Sequence, residues 1–65
     1  MTKLEIEVKK RGPIYQFAGK SRINLPRMIG IAKGKIKPNA REIERIAEEL
    51  NVEPEEVLEL VKEEI

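Results

Sequence analysis

Few side chains in these 65 residues could do covalent chemistry: one Ser (Ser21), one Thr (Thr2) and one Tyr (Tyr15), with no His, Cys, Asp or Trp. A hydroxyl nucleophile therefore lacks the imidazole that most often activates it. Zinc sites lose their usual ligands, and EF-hand loops lose their Asp. General acid–base work would fall to Glu and Lys on a scaffold too small for a deep water-excluding cleft, so no enzyme, metal or cofactor is expected. Without Cys there is no disulfide framework, compartment is not set by redox chemistry, and the cytoplasm is the default. Residues 1–8 carry Lys3, Glu5 and Glu7 and hold no signal-peptide core. The longest apolar stretch, residues 28–32, is far too short to span a bilayer, so no membrane partner is expected.

Charge is the chemistry that remains. Residues 1–38 hold ten Lys and Arg against two Glu, a net +8, whereas residues 39–65 hold three against ten Glu, a net −7; the whole chain is +1. Solvated surfaces usually intersperse their signs, so a split of this size predicts that one face meets an anionic partner, phosphate above all. The blander alternative is that the two halves neutralise each other within the molecule.

The elements that must position these charges form a single domain, residues 1–65. A chain of this size buries only about 60% of its unfolded surface. With Tyr15 and Phe17 the only aromatics, nine Ile, five Leu and four Val must supply the core. In residues 1–11, Leu4, Ile6 and Val8 alternate as in a strand, while Leu4 and Val8 also share one face of a helix, leaving both forms open. Gly12-Pro13 breaks the chain, and Pro13 suits the first position of a helix running to about Ser21-Arg22 on Ile14, Phe17, Ala18 and Ser21. Asn24 is an N-cap for a helix over 25–33, with Ile23 placed to staple onto Met28. On that helix Met28, Ile31 and Ala32 form the core face. Pro26, Ile29, Gly30 and Lys33 fall on the outer arc. Residues 34–38 form a loop, and Asn39 with Glu42 makes a capping-box pattern for a helix on Ala40, Ile43, Ile46, Ala47 and Leu50. Asn51 ends it in left-handed geometry, and Pro54 opens a fifth helix whose apolar side takes Val57, Leu58, Val61 and Ile65, with Leu60 beyond its edge. The fold expected is all-α: a compact bundle of four to five short helices.

One string of residues is more specific than this outline: Phe17-Ala18-x-Lys20-x-x-Ile23-Asn24-x-x-x-Met28-x-x-Ile31-x-x-Gly34-Lys35-x-x-Pro38, followed by Ile46-Ala47-x-x-Leu50-Asn51-Val52 and Val57-Leu58. It resembles the lambda-repressor-like, or Cro/CI-type (XRE), helix-turn-helix DNA-binding domains, over about residues 4–60. The resemblance implies a transcriptional regulator, a repressor by the family's habit, with the helix over 25–33 in the major groove of double-stranded DNA. Asn24, Leu25, Pro26, Arg27 and Gly30 would then meet base edges, with Arg27 facing guanine. Tyr15, Gln16, Lys33, Lys35, Lys37 and Arg41 would hold phosphates. The family often pairs two half-sites, which implies a homodimer, and Leu58, Leu60 and Ile65 are the residues expected at its interface. Where the family usually opens its second helix with Ser or Thr and then Gln, this chain has Pro13-Ile14-Tyr15-Gln16, and Arg22 replaces a common turn Gly. Domains of this type also serve as protein-binding adaptors, and the acidic segment 39–65 would then be the working face.

Overall fold

A computed structural model describes residues 1–65 as five α-helices: α1 (Lys3–Lys10), α2 (Ile14–Ser21), α3 (Leu25–Ala32), α4 (Ala40–Leu50) and α5 (Pro54–Lys62). Thr2 settles the first segment as helix. Its Oγ1 accepts the Glu5 N–H at 3.1 Å as the N-cap of α1, and the same hydroxyl donates to the Ala32 carbonyl at the end of α3. Helical spacing then buries Leu4 and Val8 completely and leaves Ile6 half-buried, an arrangement that alternation along a strand could not give.

The turns follow their residue types closely. Pro13 stands just outside α2 as its N-cap (φ −60°, ψ 143°) rather than as its first residue. Between α2 and α3 lie only three residues. Arg22 is left-handed (φ 58°, ψ 39°), Ile23 returns an N–H to the Ala18 carbonyl at 3.0 Å, and the Asn24 side chain accepts the Arg27 N–H at 3.1 Å. α3 stops at Ala32, one residue short of the expected end. The box at the start of α4 is complete: Glu42 N–H donates to Asn39 Oδ1 at 2.8 Å, and Asn39 N–H donates to Glu42 Oε1 at 2.9 Å. Asn51 closes α4 in left-handed geometry (φ 60°, ψ 46°), and Arg11 reaches across to donate to the Leu50 carbonyl at 3.1 Å.

α4 packs on α5, α1 on α5, and α2 on both α3 and α4. The core they enclose is aliphatic apart from Phe17: Leu4, Val8, Ala18, Ile23, Met28, Ile31, Ala32, Ile46, Ala47, Leu50 and Val57. Of the expected α4 face, Ile46, Ala47 and Leu50 are buried, Ile43 is half-buried and Ala40 is exposed. The chain ends are clasped, because Lys3 N–H donates to the Glu63 carbonyl and Ile65 N–H to the Met1 carbonyl, each at 2.9 Å, around an antiparallel Thr2/Glu64 bridge. This clasp ends α5 at Lys62, so Ile65 does not lie on its apolar face as the periodicity predicts. No helix is long and apolar enough to cross a membrane.

Candidate functional site

The ion pairs decide which charges are left for a partner. Among the ten cations of residues 1–38, five are paired: Lys3 with Glu63, Lys9 with Glu5, Lys10 and Arg11 with Glu7, and Arg27 with Glu42. Lys10 and then Arg11 hold the Glu7 carboxyl below its ordinary range. The five without an ion-pair partner are Lys20, Arg22, Lys33, Lys35 and Lys37, and they sit immediately before and after α3. Intramolecular neutralisation therefore consumes the charges of α1, of Arg11 and of Arg27 on α3, and spares those that flank α3. Exposed pairs of this kind are worth little to stability, and their effect here is to decide where positive potential survives.

α3 presents its first turn outward. Asn24 and Pro26 are exposed and Leu25 is 38% exposed, while Met28, Ile31 and Ala32 face the core. Gly30, expected on the outer, base-contacting arc, is buried. The loop after α3 folds back so that Lys35 and Ile36 N–H both donate to the Gly30 carbonyl, at 2.8 and 3.1 Å, and the Ile36 side chain covers the glycine. A Cβ at position 30 would stand 2.3 Å from Ile36 Cδ1. Gly34 permits the fold-back with φ +79°. The second half of the α3 outer face is thus closed by Ile36, and contacts from this helix must come from residues 24–29.

Arg27 is held across the molecule by Glu42. Its Nε donates to Oε2 at 2.5 Å and its Nη2 to Oε1 at 3.0 Å, joining the first turn of α3 to the first turn of α4. Glu42 is buried. The Arg27 hydrogen bonds hold its carboxyl below the ordinary range against the opposing effect of burial, and the Asn39 N–H adds to the lowering. The same contact with Glu42 raises Arg27.

The expected phosphate-holding residues are all at the surface: Tyr15 (61% exposed), Gln16, Lys33, Lys35, Lys37 and Arg41. The expected dimer residues do not come together. Leu58, 39% exposed, lines a shallow apolar groove with Ala40, Ile43 and Pro54; Leu60 is half-buried against the core near Lys3 and Glu59; Ile65 lies beyond the end of α5. Sequence reasoning missed Glu42 as the partner of Arg27, since a pair 15 residues apart leaves no periodic trace. It also missed Ile36, whose signal was an apolar residue between two lysines in a loop directly after a helix containing glycine. No group of three or more His, Cys, Asp or Glu side chains is placed to hold a metal ion. No family model, curated protein or solved structure matches the chain.

Proposed function

We propose that this protein is a sequence-specific double-stranded DNA-binding regulator of the lambda-repressor-like helix-turn-helix kind, working as a repressor, with α3 as the recognition helix. The observation that carries this reading is the placement of unpaired cations about α3: Lys20 and Arg22 precede it, Lys33, Lys35 and Lys37 follow it, and Arg41 stands at the start of α4, leaving only Arg45 and Lys62 unpaired elsewhere, among the glutamates of α4 and α5. Cations flanking a short helix with an exposed first turn suit a phosphate backbone on both sides of a groove. An α-helix with its side chains is about 10–12 Å across, close to the width of the major groove. In this reading Lys33, Lys35, Lys37 and Arg41 hold phosphates together with Tyr15 and Gln16, while Asn24, Leu25, Pro26 and Arg27 meet the bases. Leu25 and Ile29 suit a thymine methyl.

The domain measures 24 × 20 × 20 Å, less than one turn of DNA of about 34 Å, so one copy covers one half-site and a full operator calls for a homodimer. The competing reading, a protein-binding adaptor acting through residues 39–65, draws on the half-exposed Leu58 over Ala40, Ile43 and Pro54. Selection from a randomised duplex library, followed by anisotropy titration of the winner and a scrambled control, separates the two. The DNA reading expects a palindrome preferred at least ~1,000-fold over the control. Enrichment of a single half-site refutes the dimer. Absence of any binding refutes the DNA reading and turns attention to residues 39–65.

A further inference from the structure

We infer that Glu42 is a positioning residue for base recognition: it grips one edge of the Arg27 guanidinium so that the other edge stands ready as a donor pair for the O6 and N7 acceptors of a guanine. The inference rests on the DNA-binding reading above and adds to it a reading element that neither residue supplies alone.

A guanidinium has two edges that can each donate a parallel pair of hydrogen bonds, Nε with Nη2 and Nη1 with Nη2. In Arg27 the first edge is taken by the two oxygens of Glu42, and Nη1 has no partner in the protein. Glu42 cannot drift, because its Oε1 also accepts the Asn39 N–H at 2.9 Å and its own N–H donates to Asn39 Oδ1. The Glu42 side chain is 9% exposed and the Arg27 side chain 39%, so the carboxylate is sealed while the guanidinium still meets solvent. Arg27 is the third residue of α3, in the turn that meets base edges when a helix of this kind enters the major groove.

Gripping the arginine in the free protein removes rotamer freedom that would otherwise be lost on binding, and it fixes the plane of the fork. A fixed planar fork matches the coplanar O6/N7 pair of guanine. Phosphate, which accepts from many directions, is already served by the unpaired Lys33, Lys35 and Lys37. Lysine could not replace Arg27, since one ammonium cannot keep a bidentate contact with Glu42 and offer a second one.

The test is randomised-duplex selection on the full chain as wild type, Glu42→Gln and Arg27→Lys, with unfolding of each followed by circular dichroism. Gln at position 42 still completes the capping box, and Lys at 27 keeps the charge. Wild type is expected to enrich guanine at one position of the half-site. Both variants are expected to lose that preference by about 5- to 150-fold while affinity for a scrambled duplex changes less than twofold. Guanine preference kept by Glu42→Gln overturns the positioning role. Arg27→Lys matching wild type at every position shows a phosphate contact instead and overturns the guanine assignment. Binding without preference at any position overturns this inference and leaves a non-specific DNA-binding protein, whereas no binding at all overturns the parent reading and this one with it. If Glu42→Gln fails to fold, side-chain NMR of wild-type Arg27 decides: the Nε–H signal should stay in place when the selected duplex is added while Nη1 becomes ordered, and an Nε–H that leaves Glu42 refutes the claim.

Discussion

Two glycines in neighbouring helices should respond differently to alanine, one gaining stability and the other not. Gly19 is exposed in the interior of α2, and a Cβ built there meets nothing within 4 Å. Gly19→Ala therefore gains the helix-propensity difference, about 1 kcal/mol, which for a domain of this size raises Tm by roughly 4–8 °C. Gly30→Ala makes the same gain in α3, but its Cβ would stand 2.3 Å from Ile36 Cδ1 and 2.7 Å from Ile36 Cγ1. Ile36 cannot clear the new methyl by swinging its Cδ1 alone, because Cγ1, at 2.7 Å, moves only if the whole side chain turns about Cα–Cβ. Overpacking of this kind costs about 1–3 kcal/mol, leaving Gly30→Ala between neutral and about 2 kcal/mol destabilised. Removing the obstacle should restore the gain, so Gly30→Ala made in an Ile36→Ala background is expected to stabilise that background by about 1 kcal/mol. Urea unfolding of wild type, both single glycine variants, Ile36→Ala and Gly30→Ala/Ile36→Ala measures all of this. A Gly30→Ala variant as stable as Gly19→Ala, or a Gly30→Ala cost that persists when Ile36 is alanine, would refute the placement of Ile36 over α3.

Three further outcomes follow from particular contacts. Because Arg27 holds the folded-state pKa of Glu42 below its unfolded value, the pair's contribution is fully present above the ordinary glutamate value of about 4.3 and is lost as pH falls through the lowered folded value; stability measured from pH 7 down to about pH 3 should fall more steeply in wild type than in Glu42→Gln, and parallel curves would contradict the assignment. Thr2→Val deprives the Glu5 N–H and the Ala32 carbonyl of their partner and is expected to cost about 1–3 kcal/mol by denaturant unfolding, whereas Thr2→Ser keeps the hydroxyl and most of the stability. The buried Ser21 hydroxyl has no hydrogen-bond partner, so Ser21→Ala should be neutral or stabilising by about 1 kcal/mol, and a large loss on thermal unfolding would show a contact absent from this structure.

What could be read in the sequence was the local grammar of caps and turns. Asn24, Asn39 with Glu42, Asn51 and the break before α2 each act through bonds to residues within a few positions, and short-range chemistry is what a single sequence displays. The sequence leaves α1 open because Leu4, Ile6 and Val8 alternate as in a strand while Leu4 and Val8 share a helix face. Thr2 decides it through a bond to Ala32, thirty residues away, which no pattern within residues 1–11 encodes. The same long range hid the rest. Gly30 looked like an outward position because the wheel of an isolated helix cannot show a loop folding back over it. Leu60 looked outward on an isolated α5, yet it packs against the core. Arg27 stands out in the sequence as a guanine donor, but nothing near Glu42 in the chain marks it as the partner. The lysines after α3 were legible as charge. That they stay unpaired, while the α1 cations do not, is visible only in the fold.

The central claim is that the cations around α3 engage phosphate, and the salt dependence of binding tests it most directly. Anisotropy of a labelled duplex would be titrated at several salt concentrations with wild type and with the Lys33→Glu/Lys35→Glu/Lys37→Glu variant. Four phosphates neutralised by Lys33, Lys35, Lys37 and Arg41 give a slope of log K against log salt of about −3.6 per domain, and loss of three contacts should flatten it by about 2.7. Wild-type binding with a steep slope that collapses in the charge-reversed variant is the predicted result. A slope unchanged by reversal of all three lysines, or no binding by wild type at low salt, would contradict the account.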